Sequence, residues 1–110
     1  MTKPTFLDRS SALLAAGITF VVLLWTMAPG LSWKNFGDDG GELILAAWYL
    51  GVAHPSGYPL YLLLGHFFSF LPVGDPAWRF NLLSAVSGAA CAGALAVLLG
   101  VFSRRYSLSV

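Results

Sequence analysis

The sequence predicts an all-α integral membrane protein, with two transmembrane helices joined by an outer loop that carries two short interfacial helices. Three observations predict it. The 110-residue chain is 57% hydrophobic and 10% charged, with a mean hydropathy of +0.74, which is the composition of a membrane protein. Its charges leave two uncharged runs of 24 residues, Ser10 to Trp33 and Phe80 to Ser103, and roughly 20 apolar residues cross a hydrocarbon core about 30 Å thick. Between these runs lie two further apolar segments that are too short to cross.

Residues 1–10 form the expected cytoplasmic amino terminus and residues 11–28 the first span, which Pro29 and Gly30 end. Lys3 and Arg9 before an apolar stretch, with Thr26-Met27-Ala28 behind it, also resemble a signal peptide. The stretch is longer than most signal cores and Pro29 would follow the cut directly, so retention as an anchor is the reading kept. Residues 29–76 form the outer loop. Within it, Leu43–Ala53 and Leu60–Leu71 are apolar over 11 and 12 residues, reaching only about 17 or 18 Å as helices. The intervening His54-Pro55-Ser56-Gly57-Tyr58-Pro59 prevents one continuous helix, since its prolines remove donors and restrict their neighbours. Interfacial helices are therefore expected at about 40–50 and 60–71.

The first of these has a capping-box start, Asp39-Gly40-Gly41-Glu42, and a suitable stop at Gly51. Asp75 as cap and Pro76 at the first helical position open the second span, 77–102. Trp78 and Arg79 then fall at headgroup level, and 103–110 is a tail. The second span is rich in small residues, with Ser84/Gly88 and Ala89/Gly93 at the spacing that lets helices pack closely. It should therefore pack against another helix, for which the first span offers only part of a partner.

Lys3 and Arg9 flank one end of the hairpin and Arg104 and Arg105 the other, whereas the connecting stretch carries Lys34 and Arg79 against Asp38, Asp39, Glu42 and Asp75. Positive residues beside spans stay cytoplasmic, which places both termini inside and the loop outside. In a bacterium this would be the plasma or inner membrane. A formal charge of +1 excludes a basic surface for nucleic acid. One cysteine, Cys91, excludes an internal disulfide and a cysteine-based zinc site.

Chemistry concentrates in the loop. Asp38, Asp39 and Glu42 lie within five residues, and carboxylates so grouped can act as a general base, as metal ligands or as anchors for a cation. Local spacing does not choose among these, and helix capping is the structural alternative. His54 opens the proline turn and could hydrogen-bond a phosphate or the carboxylates. His66, twelve residues on, sits among Leu62, Leu63, Phe67 and Phe70 and carries no expected chemistry. The two histidines have no third ligand at metal-binding spacing, so no metal site is expected within the chain.

The run Asp39-Gly40-Gly41-Glu42-Leu43, then Ala46-Ala47, Leu50-Gly51-Val52, His54-Pro55-Ser56-Gly57-Tyr58-Pro59-Leu60 and Trp78-Arg79-Phe80-Asn81-Leu82-Leu83-Ser84-Ala85 resembles the opening of the membrane O-mannosyltransferase-like family, of the GT-C glycosyltransferase class. The resemblance covers about Phe36 to Ala90. Ser56 stands where a second proline is common and Gly40 where a small hydroxyl residue is usual, both mild departures. The resemblance implies a GT-C-like amino-terminal segment of a many-spanning enzyme. Such an enzyme takes a sugar, expected to be mannose, from a polyprenyl-phosphate donor to a hydroxyl acceptor on protein or glycan, outside the membrane. It makes Asp39 the catalytic base and Glu42, His54, Tyr58 and Arg79 substrate-binding residues. The lipid bilayer and other transmembrane helices are the expected partners. No cofactor is implied within this chain, and a divalent cation at the departing phosphate is an expectation for a complete enzyme only. Because family members have many more spans, the chain reads as an amino-terminal fragment, inactive alone. The alternative is a non-enzymatic two-span protein that packs against larger membrane partners.

Overall fold

Two helices of the protein are long and apolar enough to cross a membrane, and two short ones lie between them in sequence. The computed structural model describes residues 6–32 and 38–107. Lys3 and Lys34, two of the charges behind the expected orientation, and the outer part of each terminal segment lie outside the described residues. The order is α1 (Phe6–Thr26), α2 (Gly40–Tyr49), α3 (Pro59–Ser69) and α4 (Pro76–Ser107), with no strand among the described residues.

α1 has 21 residues, about 32 Å at the α-helical rise. It stops two residues before the expected end, where the Thr26 hydroxyl donates to Val22 O at 2.8 Å and Pro29 disfavours helix in the residue before it. α4 opens as its first residues dictate: the Asp75 carboxylate accepts the Trp78 amide at 2.7 Å while Pro76 takes the first helical position. It runs to Ser107, past the expected 102, because Arg104, Arg105 and Tyr106 contain no helix breaker.

α1 and the part of α4 from Ala85 onward form one compact unit, and Met27–Ser84 forms the other. In the first unit the small residues of α4 meet α1. A side-chain carbon added at Gly93 would lie 3.2 Å from Ala12 O and 3.3 Å from Ala16 Cβ, and one at Gly88 would lie 3.0 Å from Leu23 Cδ1. At Gly88 and Gly93 the small-residue stripe thus faces α1. α1 still exposes Leu13, Leu14, Ile18 and Trp25.

In the second unit α2 packs on α3 around Ala47, Ala53, Leu62 and Phe80, with Leu43, Ile44, Ala46 and Tyr61 against that core. Gly65 makes the close approach possible, since a Cβ there would run into the Phe80 ring and sit 3.3 Å from Ala47 Cβ. His66 locks the pair from outside the core. Its Nδ1–H donates to Ala47 O at 2.9 Å, at the carboxyl end of α2. Asn81 donates to Ala28 O and Gly30 O at 2.8 and 3.2 Å, tying the stretch after α1 to the start of α4.

The turns between elements depart from the expected glycine chemistry. α2 closes with Gly51 N–H on Ala46 O at 2.7 Å and Leu50 N–H on Ala47 O at 3.4 Å, and the left-handed residue is Leu50 (φ 51°), not Gly51. This is the paired-bond helix stop in which a left-handed residue follows the last turn, carried here by a side chain that pays a steric cost there. Tyr58 (φ 47°) repeats the arrangement at the entrance of α3, with Pro59 as its first residue. Leu50 and Tyr58 are the two non-glycine residues with positive φ among those described, and they bracket the segment that carries His54.

Candidate active site

Asp39 and Glu42 belong to the first turn of α2, where the sequence predicts mutual capping. The structure corrects that reading. Asp39 occupies the cap position with helical backbone angles, φ −79° and ψ −12°, and its side chain makes no cap hydrogen bond. Glu42 does not turn back to Asp39 either. Its two oxygens accept from His54, Oε1 from the backbone N–H at 2.7 Å and Oε2 from the ring Nδ1 at 3.0 Å. Those bonds, first the backbone one and then the ring one, hold the Glu42 carboxyl below its ordinary range.

An ionised carboxylate only accepts hydrogen bonds, so Nδ1 carries a proton and the other ring nitrogen, Nε2, faces away from Glu42. Nε2 lies 3.8 Å from Asp39 Oδ2 and 3.4 Å from the Tyr58 hydroxyl. The Tyr58 and His54 rings meet edge to face with centroids 5.3 Å apart. Four of the five expected site residues, Asp39, Glu42, His54 and Tyr58, are therefore one cluster. It is open to solvent, with the Asp39 side chain 64% exposed and that of His54 34%.

Arg79 is engaged elsewhere. Its guanidinium donates through Nε to Val73 O at 2.9 Å, through one terminal nitrogen to Ser69 O and through the other to Gly74 O at 3.1 Å. All three contacts brace the turn between α3 and α4. That is a structural duty, and it uses the planar fork that lysine lacks.

Asp39 also stands at the rim of a cleft of about 200 Å³ whose walls include Gly40, Ile44, Tyr61, Phe80 and Asn81. Burial raises the Tyr61 hydroxyl above its ordinary range, and a hydrogen bond with Ser84 partly offsets this. Gly40 leaves room for Leu31 at the cleft, since a Cβ there would stand 2.9 Å from its Cδ1. Asp39 thus has the cleft on one side and an imidazole on the other.

The fold gathers metal-binding groups that linear spacing kept apart: Asp39, Glu42 and His54 present ligand atoms within 4.8 Å of one another. Their hydrogen bonds decide how well a cation fits. Glu42 is committed to His54 through both oxygens and has the outer position that orients a metal-bound histidine. Asp39 Oδ2 and His54 Nε2 remain as direct donors. Two donors fall short of the three that a catalytic zinc site takes from protein. We assign no step to a cation here.

These features define an all-helical chain, among the described residues, with two helices long and apolar enough to cross a membrane and a connecting segment that gathers two carboxylates, an imidazole and a phenol beside a cleft. Residues 39–109 match the family described as the protein O-mannosyl-transferase TMEM260 N-terminal domain, and the chain belongs to that family. It is 42% identical over 88 residues to protein O-mannosyl-transferase TMEM260 of Mus musculus, which covers 79% of this chain and 12% of the mouse protein. It is 38% identical over 71 residues to protein O-mannosyl-transferase tmem260 of Dictyostelium discoideum, covering 62% of this chain and 8% of that protein. The chain thus corresponds to a small part of each relative's length. No solved structure matches it.

Proposed function

We propose that this chain is the amino-terminal part of a GT-C-type membrane O-mannosyltransferase. In this reading it helps move mannose from a polyprenyl-phosphate donor to a hydroxyl of a protein or glycan on the outer side of the membrane. The single observation that carries the proposal is the placement of Asp39, a carboxylate without a capping duty, at the rim of a cleft and 3.8 Å from an oriented imidazole. A hydroxyl is a poor nucleophile until a positioned base takes its proton. Asp39 serves as that base, and His54 and Tyr58 line the approach to it.

The two apolar helices and the relatives' names support a membrane setting. The charges flanking the helices favour inward termini and an outward loop. α2 and α3 expose Leu45, Trp48, Tyr49, Leu60, Phe67 and Phe70, which suits helices lying at the headgroup level beside the donor's phosphate. The 110 residues alone are expected to transfer no sugar. The non-enzymatic alternative drew on the small-residue stripe of α4, two of whose glycines already face α1.

The test is transfer of mannose by membranes carrying the complete open reading frame that encodes these residues. Asp39→Asn should lower turnover about 100-fold or more, the usual contribution of a general base, with unchanged expression and folding. Asp38→Asn should leave it near normal. Near-normal transfer by Asp39→Asn would refute the assignment, and so would its abolition by Asp38→Asn alone.

A further inference from the structure

We propose that Glu42 and Tyr58 position His54 as the proton relay of Asp39, with Nδ1 protonated and Nε2 kept as the acceptor. The inference rests on the reading of Asp39 as base and adds where the proton goes next.

The hydrogen bonds assign the tautomer. Glu42 takes the backbone N–H of His54 at 2.7 Å and the ring Nδ1–H at 3.0 Å, so both the peptide and the ring are fixed to one carboxylate. A flip of the ring would break the Nδ1–H bond to Glu42, while the backbone bond keeps the peptide beside the same carboxylate. Its Nε2 is thereby presented to the two other groups of the cluster, the Asp39 carboxylate at 3.8 Å and the Tyr58 hydroxyl at 3.4 Å. Tyr58 is kept at this distance by a left-handed backbone, φ 47°, that a tyrosine adopts at a steric cost. Strain of that kind persists where the surroundings over-determine it, and such places cluster at functional sites. Asp39, Glu42 and Tyr58 are the titratable groups facing His54 among the described residues.

The acceptor O–H bond breaks and its proton goes to an Asp39 oxygen, while the oxygen's electron pair forms the new bond to the sugar's anomeric carbon. The bond from that carbon to the phosphate oxygen breaks, and its pair leaves with the phosphate. Asp39 then gives the proton to His54 Nε2 and returns to carboxylate. The 3.8 Å gap is one that a small rotation of the exposed Asp39 side chain or a bridging water closes. The imidazolium is stabilised by Glu42 until it releases the proton to the phosphate or to solvent. His54 acts through Asp39 and is a positioning and relay residue.

Two measurements test this. In the 110-residue chain in detergent micelles, nitrogen NMR of ¹⁵N-histidine should show His54 with a protonated Nδ1 and an unprotonated Nε2 in its neutral form. Glu42→Gln should shift the ring toward the opposite tautomer, while His66, bonded to Ala47 O, stays unchanged. In the complete open reading frame, His54→Gln should lower kcat at least tenfold with KM within about twofold, and should move the acid limb of the pH profile. An unprotonated Nδ1, or a His54→Gln profile superimposable on wild type, overturns the relay while leaving Asp39 as base intact. Absence of transfer by the wild-type frame overturns the base assignment and the relay with it.

Discussion

Gly65→Ala probes the contact that brings the two halves of the candidate site together. The added Cβ would lie 2.7 Å from Phe80 Cζ and 3.3 Å from Ala47 Cβ, whereas carbon atoms rest at about 3.5–4.0 Å. Neither neighbour has slack, for Phe80 is 3% exposed and Ala47 fully buried. Overpacking of this kind costs about 1–3 kcal/mol, and alanine in place of glycine inside a helix returns about 1 kcal/mol. The penetration into the ring places the cost in the upper part of its range, so a net loss of about 1–2 kcal/mol is expected. Denaturant titration in micelles, followed by fluorescence of Trp48 and Trp78, reads the change. Gly65→Ala with Phe80→Leu should recover part of the loss relative to the sum of the single effects, because the smaller side chain makes room. Gly17→Ala is the control: nothing lies within 4 Å of its Cβ position, so it should be neutral or slightly stabilising. A Gly65→Ala protein as stable as wild type, or strictly additive effects with Phe80→Leu, would refute the packing argument.

Leu50→Gly should stabilise Met27–Ser84 by about 1 kcal/mol, since glycine accepts φ 51° without a Cβ penalty; a loss in the same titration would contradict the strain. Arg79→Lys should destabilise that segment by about 1–3 kcal/mol, because an ammonium cannot serve three carbonyls with the geometry of the guanidinium. A changed KM at unchanged stability would instead favour the substrate-binding reading of Arg79. The Glu42–His54 tie should also respond to acid. A carboxyl held below its unfolded value stabilises the fold above that value, and the contribution disappears as pH falls through the folded one. The His54 amide proton, bonded to Glu42, should therefore keep its downfield shift at neutral pH and lose it only in acid below the ordinary glutamate range. Loss of that shift near neutrality would refute the bond.

The parts of the fold readable in advance are those in which local chemistry acts alone. Two uncharged runs mark α1 and α4 because length and apolarity suffice for a helix of that kind, and Asp75-Pro76 marks a helix start because cap and first residue are neighbours. The break at His54 to Pro59 likewise follows from proline. What stayed hidden depends on how distant segments meet. Glu42 and His54 are twelve residues apart, and their bond forms only because the chain reverses through Leu50 and Tyr58, neither of which carries a glycine's signature. The capping box matched a local pattern that lost to this longer-range bond. Arg79 looked like a headgroup anchor because its partners are backbone carbonyls, which a sequence does not display. Asp39 was visible through its motif, but its freedom from capping was not.

The two left-handed residues give the connection between α2 and α3 a fixed length as well as a shape. Leu50 sets the direction in which the chain leaves one helix and Tyr58 the direction in which it enters the next. His54 stands midway, four residues from each. Surface connections ordinarily accept insertions, but here one extra residue on either side would turn the imidazole away from Glu42 without disturbing either helix. The segment thus works as a caliper whose jaws are the two helices, and among homologous proteins its residue count should vary less than the identities of the residues that fill it.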